Sequence, residues 1–446
     1  MVEECLPQEE QKEEKNFLFL TRQSIRLNKT LQYCESKGSS FTFFLSSQGP
    51  AISAILRVKI VSLACNSSKL ELAAMNLNLF DFYKNDQLIP PALRLISSKV
   101  LLGKRITPED GLALYQSAPL GLLAYLADSI NQQKNGGKVF YNTSLHVELT
   151  NICYYSCPFC SVYKKDKDEE SWNLTLKELA EILHRNGDKG ITEVVISGAC
   201  HPDHNLDHYV AVVEMIRRIF PKIHIKAFSA TDLHFVAKKG RMNMQQVFKK
   251  LHSVGINSLT GGGAEIFHPE VREKLGPEKL TGDEWLNIHE MAHSLGIKTN
   301  ASMLYGHIES YKHRIEHLNE LRLLQDRTTG FLSFIPLKYK KENSNLASLG
   351  EVPLVEDLRN FAVARIFLDN IDHLVVYWPM IGKEATQLSF NFGISDLSGI
   401  AENPARIYST SKDGKVFTPF TVSETRTFIE QAGKIPVERN SYYKSI

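Results

Sequence analysis

The stretch that decides the fold is Leu149-Thr150-Asn151-Ile152-Cys153-Tyr154-Tyr155-Ser156-Cys157-Pro158-Phe159-Cys160. Its three cysteines fall at Cx3CxxC spacing directly behind a strand-like run, His146-Val147-Glu148-Leu149-Thr150. Full ligation of a 4Fe–4S cluster normally takes four cysteines. Three thiolates on one tight loop therefore point to an iron–sulfur cluster with one iron left open. Two other readings compete, a structural zinc site and three ordinary buried cysteines. A closed zinc site needs four ligands, often as paired knuckles. No second CxxC occurs, although His146 or Cys200 would be available to complete one. Phe159, just before the last cysteine, would screen a cluster from water.

Downstream of Val139 the chain alternates strand and helix patterns. Strand-like runs lie near 145–150, 192–197, 222–228, 256–259, 297–303, 331–336 and 372–377, with a weaker eighth around 395–399. The segments between them read as amphipathic helices. Leu176, Leu179, Ala180 and Leu183 follow a Thr175-x-x-Glu178 capping box, and Trp285, Ile288 and Ala292 follow Thr281-x-x-Glu284. Repeated βα units imply parallel strands with right-handed crossovers. Seven or eight of them predict an α/β fold, a (β/α)8 TIM-type barrel over residues 141–411, with its site at the C-terminal ends of the strands.

The flanks differ. Residues 75–140 read as a helical lead-in, with Thr107-Pro108-Glu109-Asp110 opening one helix and Asn135-Gly136-Gly137 closing the next. Residues 412–446 read as a tail, helical near Val422 to Gln431 and then extended, that closes over the barrel. Residues 1–74 are compositionally foreign, since the first aspartate of the chain is Asp81. They are expected to be a weakly ordered or dispensable extension, with Met75 as an alternative start.

Composition excludes several classes. A net charge of +2 over 446 residues gives no reason to invoke nucleic acid. No apolar run is long enough for a membrane span. Seven cysteines, an odd number, behind an acidic N-terminus argue for a reducing compartment, and the chain reads as cytoplasmic.

Several further stretches sit where barrel strands end. Ser197-Gly198-Ala199-Cys200-His201-Pro202-Asp203 follows the second strand, and Lys226-Ala227-Phe228 the third. Gly261-Gly262-Gly263-Ala264-Glu265 follows the fourth, and Tyr305-Gly306-His307-Ile308-Glu309, with Arg314 just beyond, follows the fifth. Three consecutive glycines would let backbone N–H groups approach a ligand without obstruction, and Glu265 could hold ribose hydroxyls.

With these motifs the cysteine loop resembles that of the radical S-adenosylmethionine (SAM) enzymes. From about Pro90 to Tyr443 the chain is similar to the aminodeoxyfutalosine synthases of the futalosine route to menaquinone. Related cyclases and deazaflavin-forming synthases share the triple-glycine and Gly-His-x-Glu features. The resemblance implies a [4Fe–4S] cluster on Cys153, Cys157 and Cys160. It implies SAM as co-substrate, contacted by Phe159, Ser197, Gly198, Gly261, Gly262, Gly263 and Glu265. His201, Lys226 and Tyr305 are then expected at the substrate, and His307, Glu309 and Arg314 at the reaction. A low-potential electron donor such as flavodoxin or ferredoxin is implied as partner. From other classes, a zinc-binding module and an electron-transfer iron–sulfur protein stand as alternatives.

Overall fold

The computed structural model describes residues 40–44, 55–59, 89–161, 163–342, 344–401 and 420–446. The chain divides into two units, Met1–Asp81 and Phe82–Ile446. Within the first, Ser40–Phe44 and Ile55–Lys59 pair antiparallel, with Ser40 opposite Lys59. The rest of the expectation for residues 1–74 lies outside the described residues.

The second unit opens with three helices, α1 (Pro91–Leu101), α2 (Pro108–Ser117) and α3 (Leu120–Asn135). Thr107 and Asp110 form a reciprocal capping box at the start of α2, and Gly136 closes α3 in the left-handed conformation at φ 62°. Capping boxes also open α4 (Leu176–Arg185) at Thr175 and α9 (Gly282–Ser294) at Thr281. Between these lie α5 (Leu206–Ile219), α6 (Ala230–Gly240), α7 (Met244–Ser253) and α8 (Pro269–Leu275). Two more helices, α10 (Tyr311–Thr328) and α11 (Leu354–Phe367), complete the layer used below.

The sheet comprises β1 (Thr143–Glu148), β2 (Glu193–Ser197), β3 (His224–Lys226), β4 (Ser258–Leu259), β5 (Lys298–Tyr305), β6 (Phe331–Lys338), β7 (His373–Leu374) and β8 (Ile400–Ala401). All pairings are parallel. Strands β1 to β7 neighbour one another in sequence order, and β8 adds to the free side of β1. The barrel is thus a curled arc of seven consecutive strands with a two-residue eighth, not eight equal staves. Asp396 makes single parallel bridges to both Val375, just past β7, and Phe140, just before β1.

Strand alternation sorts the side chains. Leu145, Val147, Val194, Ile196, Ile225, Ala301, Met303 and Phe334 join the apolar layer under the helices. The intervening residues, among them Ser144, His146, Glu193, Lys226 and Ser302, face the interior of the arc, which is polar.

The tail closes the end of the barrel opposite the cysteines. Ile435–Glu438 pairs parallel with Lys138–Tyr141. Beyond it, buried Arg439 pairs with buried Asp396, Ser441 Oγ donates to Glu193 Oε2 at 2.7 Å, and Tyr443 stacks on His373 with centroids 3.5 Å apart. Glu193 and His373 are the first residues of β2 and β7, so this plug seals the N-terminal mouth. Arg439→Met would strand Asp396 as an uncompensated buried charge, which costs about 3–5 kcal/mol. Guanidinium unfolding should register that loss.

Candidate active site

Backbone contacts root the cysteine loop. Leu149 N–H donates to Ser197 O at 3.1 Å, Ala199 N–H to Thr150 O at 3.0 Å, and Tyr154 N–H to Cys200 O at 2.8 Å. Gly198 makes this approach possible. Its φ is +138°, and a Cβ there would lie 3.1 Å from Thr150 O and 3.2 Å from Leu149 N. The small residue expected for close approach to a ligand is therefore already required by the backbone of the first strand's end. On the other side, Asn151 exchanges hydrogen bonds with Glu170 O and Trp172 N, and Cys153 N–H donates to Lys164 O. A turn with Cys160 N–H on Cys157 O sets the last two cysteines, and Asn345 N–H and Ser344 Oγ clamp Pro158 O from across the site.

The three cysteines are not joined in disulfides, and their charges act on one another. Among the described residues, however, no group of three or more His, Cys, Asp or Glu converges on a single-ion site. Burial pushes the Cys157 thiol up to about 12, partly offset by Lys279. Cys153 is lowered to about 7, chiefly through a hydrogen bond with Cys200 and against the effect of burial.

Lys279 is the residue that sequence reasoning missed. It is ion-paired with buried Glu265, its own side chain is half-buried, and its ammonium lies 5.6 Å from the Phe159 ring centroid. Burial opposes its charge, but the Glu265 carboxylate prevails and raises its pKa. Glu265 itself occupies the left-handed region at φ 41°. The triple glycine is sterically enforced. A Cβ on Gly261 would sit 2.9 Å from Asn300 O, and one on Gly263 would overlap Thr231 Oγ1. The carbonyls are engaged, Gly261 O by Ser302 Oγ and Gly262 O by Trp285 Nε1.

The residues expected at the reaction do come together, but behind the sheet. Tyr305 packs with Ala301 and Met303 on the helix-facing side, and its hydroxyl donates to Asp357 Oδ1 of α11 at 2.9 Å. Gly306, at φ 88°, turns the chain after β5. Glu309 then accepts from the N–H groups of Gly306 at 2.6 Å and His307 at 2.8 Å, and from Arg314 Nε at 2.8 Å. Arg314 reaches on to Glu356 Oε1 at 2.6 Å, between the rings of Tyr115, Tyr305 and Tyr311. His307 is enclosed, Nε2 on Leu304 O and Nδ1 3.0 Å from Glu309 Oε2, and burial lowers its pKa against the pull of Glu309. Every polar group in this knot is answered within it. It is built to hold the β5–α10 turn.

The other expected residues separate. Lys226 points into the barrel interior but pairs with Glu193 Oε2 at 3.0 Å, low in the barrel. Burial lowers His146 beside that pair to about 4. His201 accepts from Asp203 N–H and heads a stack in which His204 lies 4.5 Å from it and His208 3.7 Å further on.

Comparison with known proteins agrees with this architecture. Residues 147–321 match the radical SAM superfamily, and residues 328–446 match the CofH/MqnC C-terminal region. The chain belongs to the radical SAM superfamily. It is 38% identical over 362 residues to the aminodeoxyfutalosine synthase of Thermus thermophilus, covering 80% of this chain and 96% of that one. It is 32% identical over 358 residues to the cyclic dehypoxanthine futalosine synthase of Streptomyces coelicolor, covering 79% and 89%. The solved structure of methylornithine synthase shares the fold at a TM-score of 0.62 and 16% identity, over 76% of this chain and 97% of that one. As in the superfamily, the cofactors are a [4Fe–4S] cluster and SAM.

Two outcomes follow from the geometry. Alanine at Cys153, Cys157 or Cys160 should abolish the brown colour and iron content of the reconstituted protein. Arg314→Leu should instead cost about 3–5 kcal/mol of folding stability by leaving Glu309 and Glu356 unpaired, while iron content per folded chain stays unchanged.

Proposed function

We propose that the chain is an aminodeoxyfutalosine synthase acting in menaquinone biosynthesis, with 3-[(1-carboxyvinyl)oxy]benzoate as its small-molecule substrate. Held by the three cysteines, a cluster would supply the one electron that cleaves SAM to methionine and a 5′-deoxyadenosyl group. The proposed net reaction joins that group to the enolpyruvyl alkene and, with rearrangement, loss of the carboxyl carbon as carbon dioxide and return of the electron, gives 6-amino-6-deoxyfutalosine. The observation that carries this reading is the 38% identity across 96% of the Thermus synthase, against 32% across 89% of the sibling cyclic enzyme.

The chain's own residues have three tasks. Cys153, Cys157 and Cys160 hold the cluster, and the glycine edge with Glu265 and Lys279 receives the co-substrate. The closed floor and the apolar layer behind the arc keep water from a reactive primary radical. Near-attack placement of the alkene, about 3–3.5 Å from the radical carbon, must come from the interior face. Of the cationic candidates for gripping the two substrate carboxylates, Arg314 and His307 are committed to the knot behind the sheet and Lys226 to Glu193 low in the barrel, which leaves His201. A low-potential flavodoxin or ferredoxin in the cytoplasm is the proposed electron source. No helix among the described residues is long and apolar enough to cross a membrane.

The test is anaerobic incubation of reconstituted protein with dithionite, SAM and the enolpyruvyl benzoate. A product that carries the adenosyl carbons supports the synthase. Free 5′-deoxyadenosine without any larger adduct refutes it and points to a hydrogen-abstracting sibling.

A further inference from the structure

We propose that Asn300 is a substrate-binding residue: from the interior face of β5 its amide donates a hydrogen bond to a carboxylate of the second reactant. The proposal rests on the synthase reading above, which supplies a reactant with two carboxylates. Strand alternation sets the direction of the side chain. Thr299 is turned to the helix layer, where its hydroxyl meets His289 Nδ1 and His293 Nε2 at 2.8 Å each, and Ala301 packs in the apolar layer. Asn300, between them, therefore faces the interior of the arc. Its height is fixed from two sides. A Cβ on Gly261 would lie 2.9 Å from the Asn300 carbonyl oxygen, so the residue borders the glycine edge. In register it meets Ser333 of β6, which in turn meets His373 beside the plug. The amide thus lies between the co-substrate edge and the closed floor.

Asn300 is only 7% exposed, yet its enclosed Oδ1 finds no partner among the described residues. Polar neighbours on the same face are engaged. Ser302 Oγ donates to Gly261 O, His224 Nε2 meets Ser258 Oγ at 2.7 Å, and Lys226 pairs with Glu193. A buried polar group left unpaired lowers stability, and an apolar residue of the same shape would avoid that loss. An amide placed here is explained by a partner that arrives with the reaction. Since no protein group fixes Oδ1, a half-turn of the last torsion is free to bring the N–H toward the interior. The two carboxylates and the ether oxygen of the reactant are all acceptors, so the N–H end is the one they select. Arg314 and His307 are tied into the knot and Lys226 into the floor, which leaves a neutral donor to orient one carboxylate at this height.

The experiment compares the reconstituted full chain with Asn300→Ala and Asn300→Leu under anaerobic conditions with dithionite. It measures KM for the enolpyruvyl benzoate, KM for SAM, kcat, and urea unfolding without ligands. Both variants lack the N–H donor, so KM for the benzoate should rise about 10- to 100-fold. KM for SAM and kcat should stay near the parent, the pattern of a lost uniform binding contact. Without ligands, Asn300→Leu should unfold at a urea concentration no lower than the parent, because an unpaired amide gives way to an apolar side chain. Should leucine prevent folding, the alanine variant carries the kinetic comparison. A parent that neither binds nor converts the benzoate overturns the synthase reading and this proposal with it. A parent that converts the benzoate while both variants keep its KM overturns the proposal alone and leaves the amide to an enclosed water. A rise confined to Asn300→Leu, a rise in KM for SAM instead, or a lower urea midpoint with unchanged KM would each overturn it as well, pointing to bulk, to the co-substrate or to the fold.

Discussion

The site depends on a backbone contact. Where the first two strands end, their chains approach so closely that the second must lack a side chain, and Gly198 supplies that gap. The hydrogen bonds from Leu149 to Ser197, Ala199 to Thr150 and Tyr154 to Cys200 then set the cysteine loop on the rim as one rigid piece with the loop after β2. Without that contact, three cysteines on a mobile loop would have no common orientation. With it, Lys279 and Glu265 approach from the fourth unit, and Ser344 and Asn345 from beyond the sixth strand, onto a fixed target.

Most of the architecture was legible because it is local. Capping boxes at Thr107, Thr175 and Thr281, alternation along β1, β2 and β5, and the Asn135-Gly136 stop are each written within a few residues. The cysteine spacing belongs to the same kind. The direction of the Tyr305–Arg314 stretch was not legible. A strand's alternation says which side its members face, but Gly306 breaks the chain direction immediately afterwards, and the destination of His307 and Glu309 is decided by Glu356 and the rings on α2 and α10. Lys279 had no local signal at all. It is one lysine in Pro277-Glu278-Lys279, made special by a carboxylate 14 residues earlier and a phenylalanine from the first loop.

Two of the buried charge systems divide the labour. The knot of Glu309, Arg314 and Glu356 has all its members answered and lies in the helix layer, where it holds the β5–α10 turn against α2 and α11. The pair of Lys226 and Glu193 lies in the polar interior, braced from below by Ser441. Buried ion pairs add little net stability, because desolvation offsets their attraction, yet they penalise misplacement of either partner. Here that penalty fixes the two ends of the barrel separately, the upper turn by one set and the floor by the other.

The plug made by Arg439, Ser441 and Tyr443 also governs traffic. With the N-terminal mouth closed, the nucleoside-bearing co-substrate, the second reactant and the incoming electron are all directed to the strand C-terminal rim. A reductase docked over the cysteine loop would cover the area through which a bulky product leaves.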